Sequence, residues 1–218
     1  MLPFHLSPPA KDPLRLLCLG AHCDDIEIGC GGTLLKLMRE RNTALAVYWL
    51  VFSSTPVRAK EAEAAADLFL RGAGAATIDV RDFRDGFFPT RWAEIKEVFE
   101  TVKKSFSPDL IFTHYRDDRH QDHRIVSDLT WNTFRDHTIL EYEIPKYDGD
   151  LSTPNVYVHI DRELCTAKTR IILGSFHSQQ GKHWFTEDTL KALMRLRGIE
   201  SAAPDLYAEG FHGRKLVL

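Results

Sequence analysis

The stretch LRLLCLGAHCDDIEIGCGGTLLKLMRERNTALAVYWLVF, residues 14–52, decides the fold. Leu14–Leu19 is a short apolar run of the kind a buried strand shows, and Gly20 ends it. From Gly29 through Arg41, the apolar residues Leu34, Leu35, Leu37 and Met38 alternate with charged ones and mark one face of a helix. Ala44–Phe52 then reads as a second strand, so the segment is a β-loop-α-β unit. The pattern continues downstream. Arg58–Leu70, rich in Ala and Glu, predicts a helix; Thr77–Val80 a strand; and Arg91–Ser105 an amphipathic helix. Pro108–Thr113 predicts a fourth strand, His114–Gln121 a loop and Asp122–Phe134 a helix. The C-terminal third is less regular, with strands expected at Ile139–Ile144 and Val156–Ile160 and helices at Arg162–Phe176 and Glu187–Arg197.

Strands taking turns with helices favour an α/β protein, a mostly parallel sheet covered on both faces, with ligands in the crevice at the carboxyl ends of the strands. No linker, repeat or low-complexity segment interrupts the chain, which reads as a single domain over residues 1–218 with a proline-bearing leader, residues 1–13. The 218 residues carry 28 Lys+Arg against 31 Asp+Glu, a net charge of −3, and are 44% hydrophobic, which excludes a disordered chain. Without runs of Lys or Arg there is no footprint for nucleic acid, and the expected partners are small molecules. No apolar run reaches the roughly 20 residues that cross a bilayer. The N-terminus lacks the pattern of a secretory signal, so cytoplasmic residence is the expectation. Cys18, Cys23, Cys30 and Cys165 form no CxxC pair and read as reduced thiols.

Two polar clusters fall where the crevice rule points. Ala21-His22-Cys23-Asp24-Asp25-Ile26-Glu27 follows the first strand; His114-Tyr-Arg-Asp117-Asp118-Arg-His120-Gln-Asp122-His123 follows the fourth. So many carboxylates together are costly through repulsion and desolvation unless a cation sits among them, and the mixture of imidazole and carboxylate points to a divalent ion. A dinucleotide loop fits less well: the third glycine of GxGxxG would fall on Leu34, and about nine residues are expected between the strand end and the glycines. Gly31 and Gly32 are instead expected to let the helix approach the metal loop. No GxSxG appears for a serine hydrolase.

The first cluster resembles the AH(P)DD…GxGGT motif, and the second the HxDH motif, of the N-acetylglucosaminyl-phosphatidylinositol deacetylase family, also called PIG-L or LmbE-like. Three weaker likenesses accompany them: Arg58-Ala-Lys-Glu61 to an RxxE helix start, Phe83-Arg-Asp85-Gly86 to an aromatic-x-Asp-Gly turn, and Ala208-Glu209-Gly-Phe211 to a terminal AExF. The resemblance implies a Rossmann-like three-layer fold and a zinc hydrolase that removes acetyl from an N-acetylated amino-sugar conjugate. Carried over position by position, it gives His22, Asp25 and His123 the metal and Asp24 the role of general base. Zinc lowers the pKa of its water from roughly 16 to about 7. Asp24 would take that water's proton as it attacks the acetamide and return it to the departing amine. His120 would hold the oxyanion with the metal, and Asp122, hydrogen-bonded to His120, would keep that imidazole protonated and oriented. Arg58 and Asp85 are candidates for sugar or phosphate contacts.

Asp24 and Asp25 are adjacent and are expected to point different ways. Of the remaining carboxylates, Asp118 is expected to brace its loop, Asp117 to be solvated, and Glu27 to supply a favourable charge near the start of the following helix. His177-Ser178-Gln179 resembles a short family stretch, either lining the pocket or holding structure, and Trp184, Phe185, Tyr142 and Tyr147 are candidates to stack on a sugar ring. Cys23 and Gln121 stand where the family commonly has Pro; neither change removes a ligand. Two other readings stay open: a sugar- or nucleotide-binding module with a degenerate metal site, and an Fe(II) oxygenase, since two His and one carboxylate also bind iron in such enzymes. The family likeness also implies a homo-oligomer, and a soluble conjugate is the preferred substrate.

Overall fold

The computed structural model describes residues 13–41 and 44–216; the leader, Pro13 apart, lies outside the described residues. Seven strands form one sheet: β1 (Leu14–Gly20), β2 (Leu45–Val51), β3 (Ala75–Val80), β4 (Leu110–His114), β5 (Thr138–Tyr142), β6 (Val156–Ile160) and β7 (Tyr207–Gly213), in spatial order β3-β2-β1-β4-β5-β7-β6. The helices are α1 (Asp25–Arg41), α2 (Pro56–Phe69), α3 (Trp92–Ser105), α4 (Gln121–Thr133), α5 (Arg162–Ser175) and α6 (Glu187–Glu200). All sheet pairings are parallel except those of β7, which runs antiparallel to β5 and β6.

Alternation along β1 builds the three layers. Leu14, Leu16 and Cys18 join a core with Ala62 and Phe69 of α2 and Ile172 of α5, while Leu17 and Leu19 face a second core with Phe99 of α3 and Val126 and Leu129 of α4. From β1 the chain passes outward to β2 and β3, then returns to lay β4 against the other side of β1. That reversal places the carboxyl ends of β1 and β4, and both polar clusters, at the switch point where α/β sheets leave a crevice.

Three details differ from the sequence reading. Helix α1 begins at Asp25 rather than Gly29, so only Ala21–Asp24 separate it from β1, and the glycines lie inside the helix. They serve close packing, but not toward the metal loop. A Cβ on Gly29 would sit 2.2 Å from the Tyr142 ring, one on Gly31 2.7 Å from Phe69, and one on Gly32 2.8 Å from Glu209. β4 extends through His114, carrying the first residue of the second cluster into the sheet. β7 is a strand that its sequence, YAEGFHG, did not announce; two glycines and a Glu break the apolar pattern. Glu209 is buried there because its carboxylate accepts from the Gly32 and Thr33 backbone N–H groups (both 2.7 Å) and pairs with Lys168 (2.7 Å), tying β7 to α1 and α5.

Candidate metal centre

The turn after β1 is closed by its own helix start. The His22 backbone N–H donates to Asp25 Oδ2 (2.7 Å), and the Ile28 N–H donates to the Asp24 carbonyl (3.0 Å). The two adjacent aspartates therefore leave the turn in different directions. Asp25 meets imidazoles: its Oδ2 lies 3.4 Å from His22 Nδ1, 3.2 Å from His114 Nε2 and 3.6 Å from His123 Nε2. Asp24 meets α2, where Arg58 approaches its Oδ1 at 3.0 Å. Burial pushes the Asp24 carboxyl above its ordinary value against the pull of Arg58. Burial acts on Asp25 in the same sense, but His123 and His114 hold that carboxyl well below the ordinary range.

The second loop fixes the histidines. Asp118 Oδ2 lies 2.9 Å from His123 Nδ1, its Oδ1 accepts from the His120 N–H (2.8 Å), and Lys146 Nζ donates to it (2.8 Å). Taking the Nδ1 proton of His123 leaves the Nε2 lone pair for a cation, the usual job of a carboxylate behind a ligating imidazole. Burial and the neighbouring His114 bring the His123 pKa down to about 4, so the ring is neutral, the form that ligates. His22 goes the other way. Burial disfavours its charge, yet hydrogen bonds with Asp122, Asp25 and Asp85 raise its pKa well above the ordinary value. Three carboxylates around this ring favour positive charge there.

Asp122 departs from the expected contact with His120. Its Oδ2 accepts from the Gly86 N–H (2.6 Å) and lies 3.3 Å from His22 Nε2, while its Oδ1 accepts from the Phe88 N–H (3.1 Å). The carboxylate is committed to the turn before α3, because α4 begins at Gln121 and carries Asp122 back toward that turn. His120 instead caps α4: its Nδ1 accepts the Asp122 backbone N–H (3.3 Å), so the ring proton resides on Nε2.

The donor geometry can be tested against a metal. His22 Nδ1, Asp25 Oδ2 and His123 Nε2 stand 3.2, 3.4 and 3.6 Å apart. Nitrogen and oxygen donors about 2.0–2.2 Å from one ion at tetrahedral corners are separated by roughly 3.3–3.6 Å. The three side chains fit a shared divalent ion. Other groupings lie close by among the described residues, namely Asp25, His114 and His123, or His22 with His120 and either His123 or the Asp85–Asp122 pair.

Residues 17–134, more than half of the chain, match the family described as PIG-L, GlcNAc-PI de-N-acetylase. The chain belongs to the PIG-L family. Among solved structures, the conserved protein TT1542 from Thermus thermophilus is similar at 24% identity with a TM-score of 0.73, over 94% of this chain and 96% of that one. N,N'-diacetylchitobiose deacetylase from Pyrococcus horikoshii has 22% identity and a TM-score of 0.70, over 97% and 87%. The 4-carboxy-2-hydroxymuconate hydratase GalB from Pseudomonas putida has 15% identity and a TM-score of 0.72, over 94% and 98%. A deacetylase and a hydratase on one fold show that the fold alone does not choose the reaction.

The PIG-L chain also brings Asp85 into the centre, with its Oδ1 3.0 Å from His22 Nε2 although the side chain is largely exposed. Asp117 is exposed, as expected. Glu27 lies in the first turn of α1, as expected, but it is fully buried, neither carboxylate oxygen has a partner among the described residues, and burial raises its pKa well above the ordinary value, which works against a charge there. Cys23 donates to the Ser53 carbonyl (3.2 Å), and burial pushes its thiol up to about 12. All four cysteines are free and buried. Tyr142 and Phe185 are buried in the core rather than available to a sugar, and Ser178 is held by Glu61 of α2 through its N–H (2.8 Å) and hydroxyl (2.5 Å). His114, which the sequence offers as a member of the second cluster or as a hydrogen-bonded core histidine, is fully buried beside Asp25 and stacked on His123 with ring centroids 3.9 Å apart. Lys146 behind Asp118 escaped the sequence reading, because it lies 28 residues away and carries no local signal.

Proposed function

We propose that this PIG-L chain is a metal-dependent N-deacetylase that hydrolyses the acetamide of an N-acetylated amino-sugar conjugate. The observation that carries the reading is the near-tetrahedral spacing of His22 Nδ1, Asp25 Oδ2 and His123 Nε2, held from behind by Asp118. A divalent ion on these three, zinc in our reading, supplies a Lewis acid and an activated water.

The chain's own groups do the rest. Asp24 takes the proton of the attacking water; burial gives its carboxyl more basicity than an exposed aspartate, and Arg58 fixes its position. His120, with its proton held on Nε2 by the α4 cap, donates to the oxygen that gains charge at the acetyl carbon. Asp122 acts as a positioning residue through His22 and the Gly86–Phe88 turn rather than through His120. Asp85 is the candidate sugar contact at the exposed edge. The C–N bond breaks, Asp24 returns its proton to the amine, and acetate and a free amino sugar leave.

Acetate release from a panel of N-acetyl amino-sugar conjugates, with and without a chelator, tests the reading. Asp24→Ala should lower turnover about 10²- to 10⁴-fold while metal content is kept, whereas His123→Ala should strip the metal. Equal metal loss in both variants would contradict the division of roles. Oxygen uptake with bound iron would favour the oxygenase instead, and sugar binding without acetate release the binding module.

A further inference from the structure

Two loops reach the centre from opposite sides, and both lie beyond the residues matched to the family. The first follows β5. Lys146 ties it to the histidine-bearing loop by donating to Asp118 (2.8 Å) and to both oxygens of Asp150 (2.7 and 2.6 Å), and Asp150 in turn accepts the Arg119 N–H (2.7 Å). The second follows α5. Glu61 of α2 grips Ser178, Ser178 accepts from the buried Gln179, and the Gln179 oxygen accepts from Lys182 (2.6 Å). The same α2 carries Arg58 to Asp24. One loop is therefore fastened to the His120–His123 side of the centre and the other to the Asp24 side.

They meet through Tyr147 and His183. The Tyr147 hydroxyl lies 3.3 Å from His183 Nδ1, and the rings are 5.4 Å apart at 33°. Each loop contains a left-handed glycine, Gly149 (φ +62) and Gly181 (φ +90), two residues from the ring it carries. Tyr147 is 75% exposed and its hydrogen-bond partner His183 is exposed too, so the pair faces solvent.

We propose that Tyr147 and His183 form a platform for a second ring joined to the N-acetylated sugar. Tyr147 follows Lys146, which is bound to Asp118, and His183 follows Lys182 in the loop that Glu61 of α2 grips, so the contact borders the centre, and an exposed aromatic face takes the apolar face of a sugar or aromatic ring. The inference rests on the deacetylase reading for the identity of the first ring, but it can be tested without turnover.

Glucosamine and chitobiose, one-ring and two-ring amines that cannot be deacetylated, are titrated into the metal-loaded protein by ligand-observed NMR, and acetate release is measured from their N-acetylated forms. The wild type should bind the two-ring ligand about three- to tenfold tighter. Tyr147→Ala should abolish that margin while leaving one-ring binding unchanged, and Tyr147→Phe, which keeps the ring, should retain most of it. The same ratio should fall in kcat/KM. A wild type with no two-ring margin, or a Tyr147→Ala variant that loses both ligands equally or neither, overturns the proposal. A margin that is present and lost on substitution, in a protein that releases no acetate, supports the platform and refutes the deacetylase reading.

Discussion

Replacing Asp118 by asparagine probes how the centre holds its cation. The carboxylate serves three donors: His123 Nδ1 at 2.9 Å, the His120 N–H at 2.8 Å and Lys146 Nζ at 2.8 Å. Asparagine offers one oxygen and one NH2 in the same space. If the oxygen stays with the His120 N–H, the NH2 confronts both the Lys146 ammonium and His123 Nδ1. The imidazole can then relieve the clash only by moving its proton to Nε2, the atom 3.2 Å from His22 Nδ1 and 3.6 Å from Asp25 Oδ2. A cation would have to displace that proton. In the opposite orientation the His120 N–H loses its acceptor and the loop loosens. Loss of such a carboxylate behind a ligating His costs about 10- to 100-fold in metal affinity, or about 1.4–2.8 kcal/mol. Competition against a chromophoric chelator measures the affinity, with circular dichroism and thermal melting to check the fold. Affinity within twofold of wild type in a folded variant would refute the claim that Asp118 sets the tautomer of His123.

Gly29→Ala should cost about 1–3 kcal/mol in denaturant unfolding, because the added Cβ would lie 2.2 Å from a Tyr142 ring whose hydroxyl is bonded to the Leu19 carbonyl; a neutral effect would mean that the ring has room to move. Lys168→Met leaves the buried Glu209 carboxylate without its counter-charge and should destabilise by about 3–5 kcal/mol, with the sign checked by the shift in unfolding midpoint. The four cysteines should resist alkylation in the native protein and all react after denaturation, read by intact mass; a native adduct at Cys23 would show that the thiol beside the centre is reachable.

Much of the centre was legible in the residues alone. The parallel sheet follows from apolar runs alternating with helical stretches, and the meeting of the two polar clusters follows from their places after β1 and β4, since adjacent parallel strands end at the same edge. The divergence of Asp24 and Asp25 was legible too, because neighbours on a tight turn cannot share a direction.

What the amino-acid order by itself determined was local: which segments are strands and helices, and which loops carry imidazole and carboxylate. The partners of buried charge needed the tertiary structure. The Asp122 carboxylate bonds to the Gly86 and Phe88 N–H groups rather than to His120, Glu27 is buried without a partner among the described residues, and Glu209 makes YAEGFHG a buried antiparallel strand by bonding to α1 from 177 residues away. Lys146 reaches Asp118 only through a loop beyond the two motifs. Periodicity and turn chemistry act over a few residues. Desolvation and ion pairing depend on which surfaces meet, and that is decided only when the sheet is assembled.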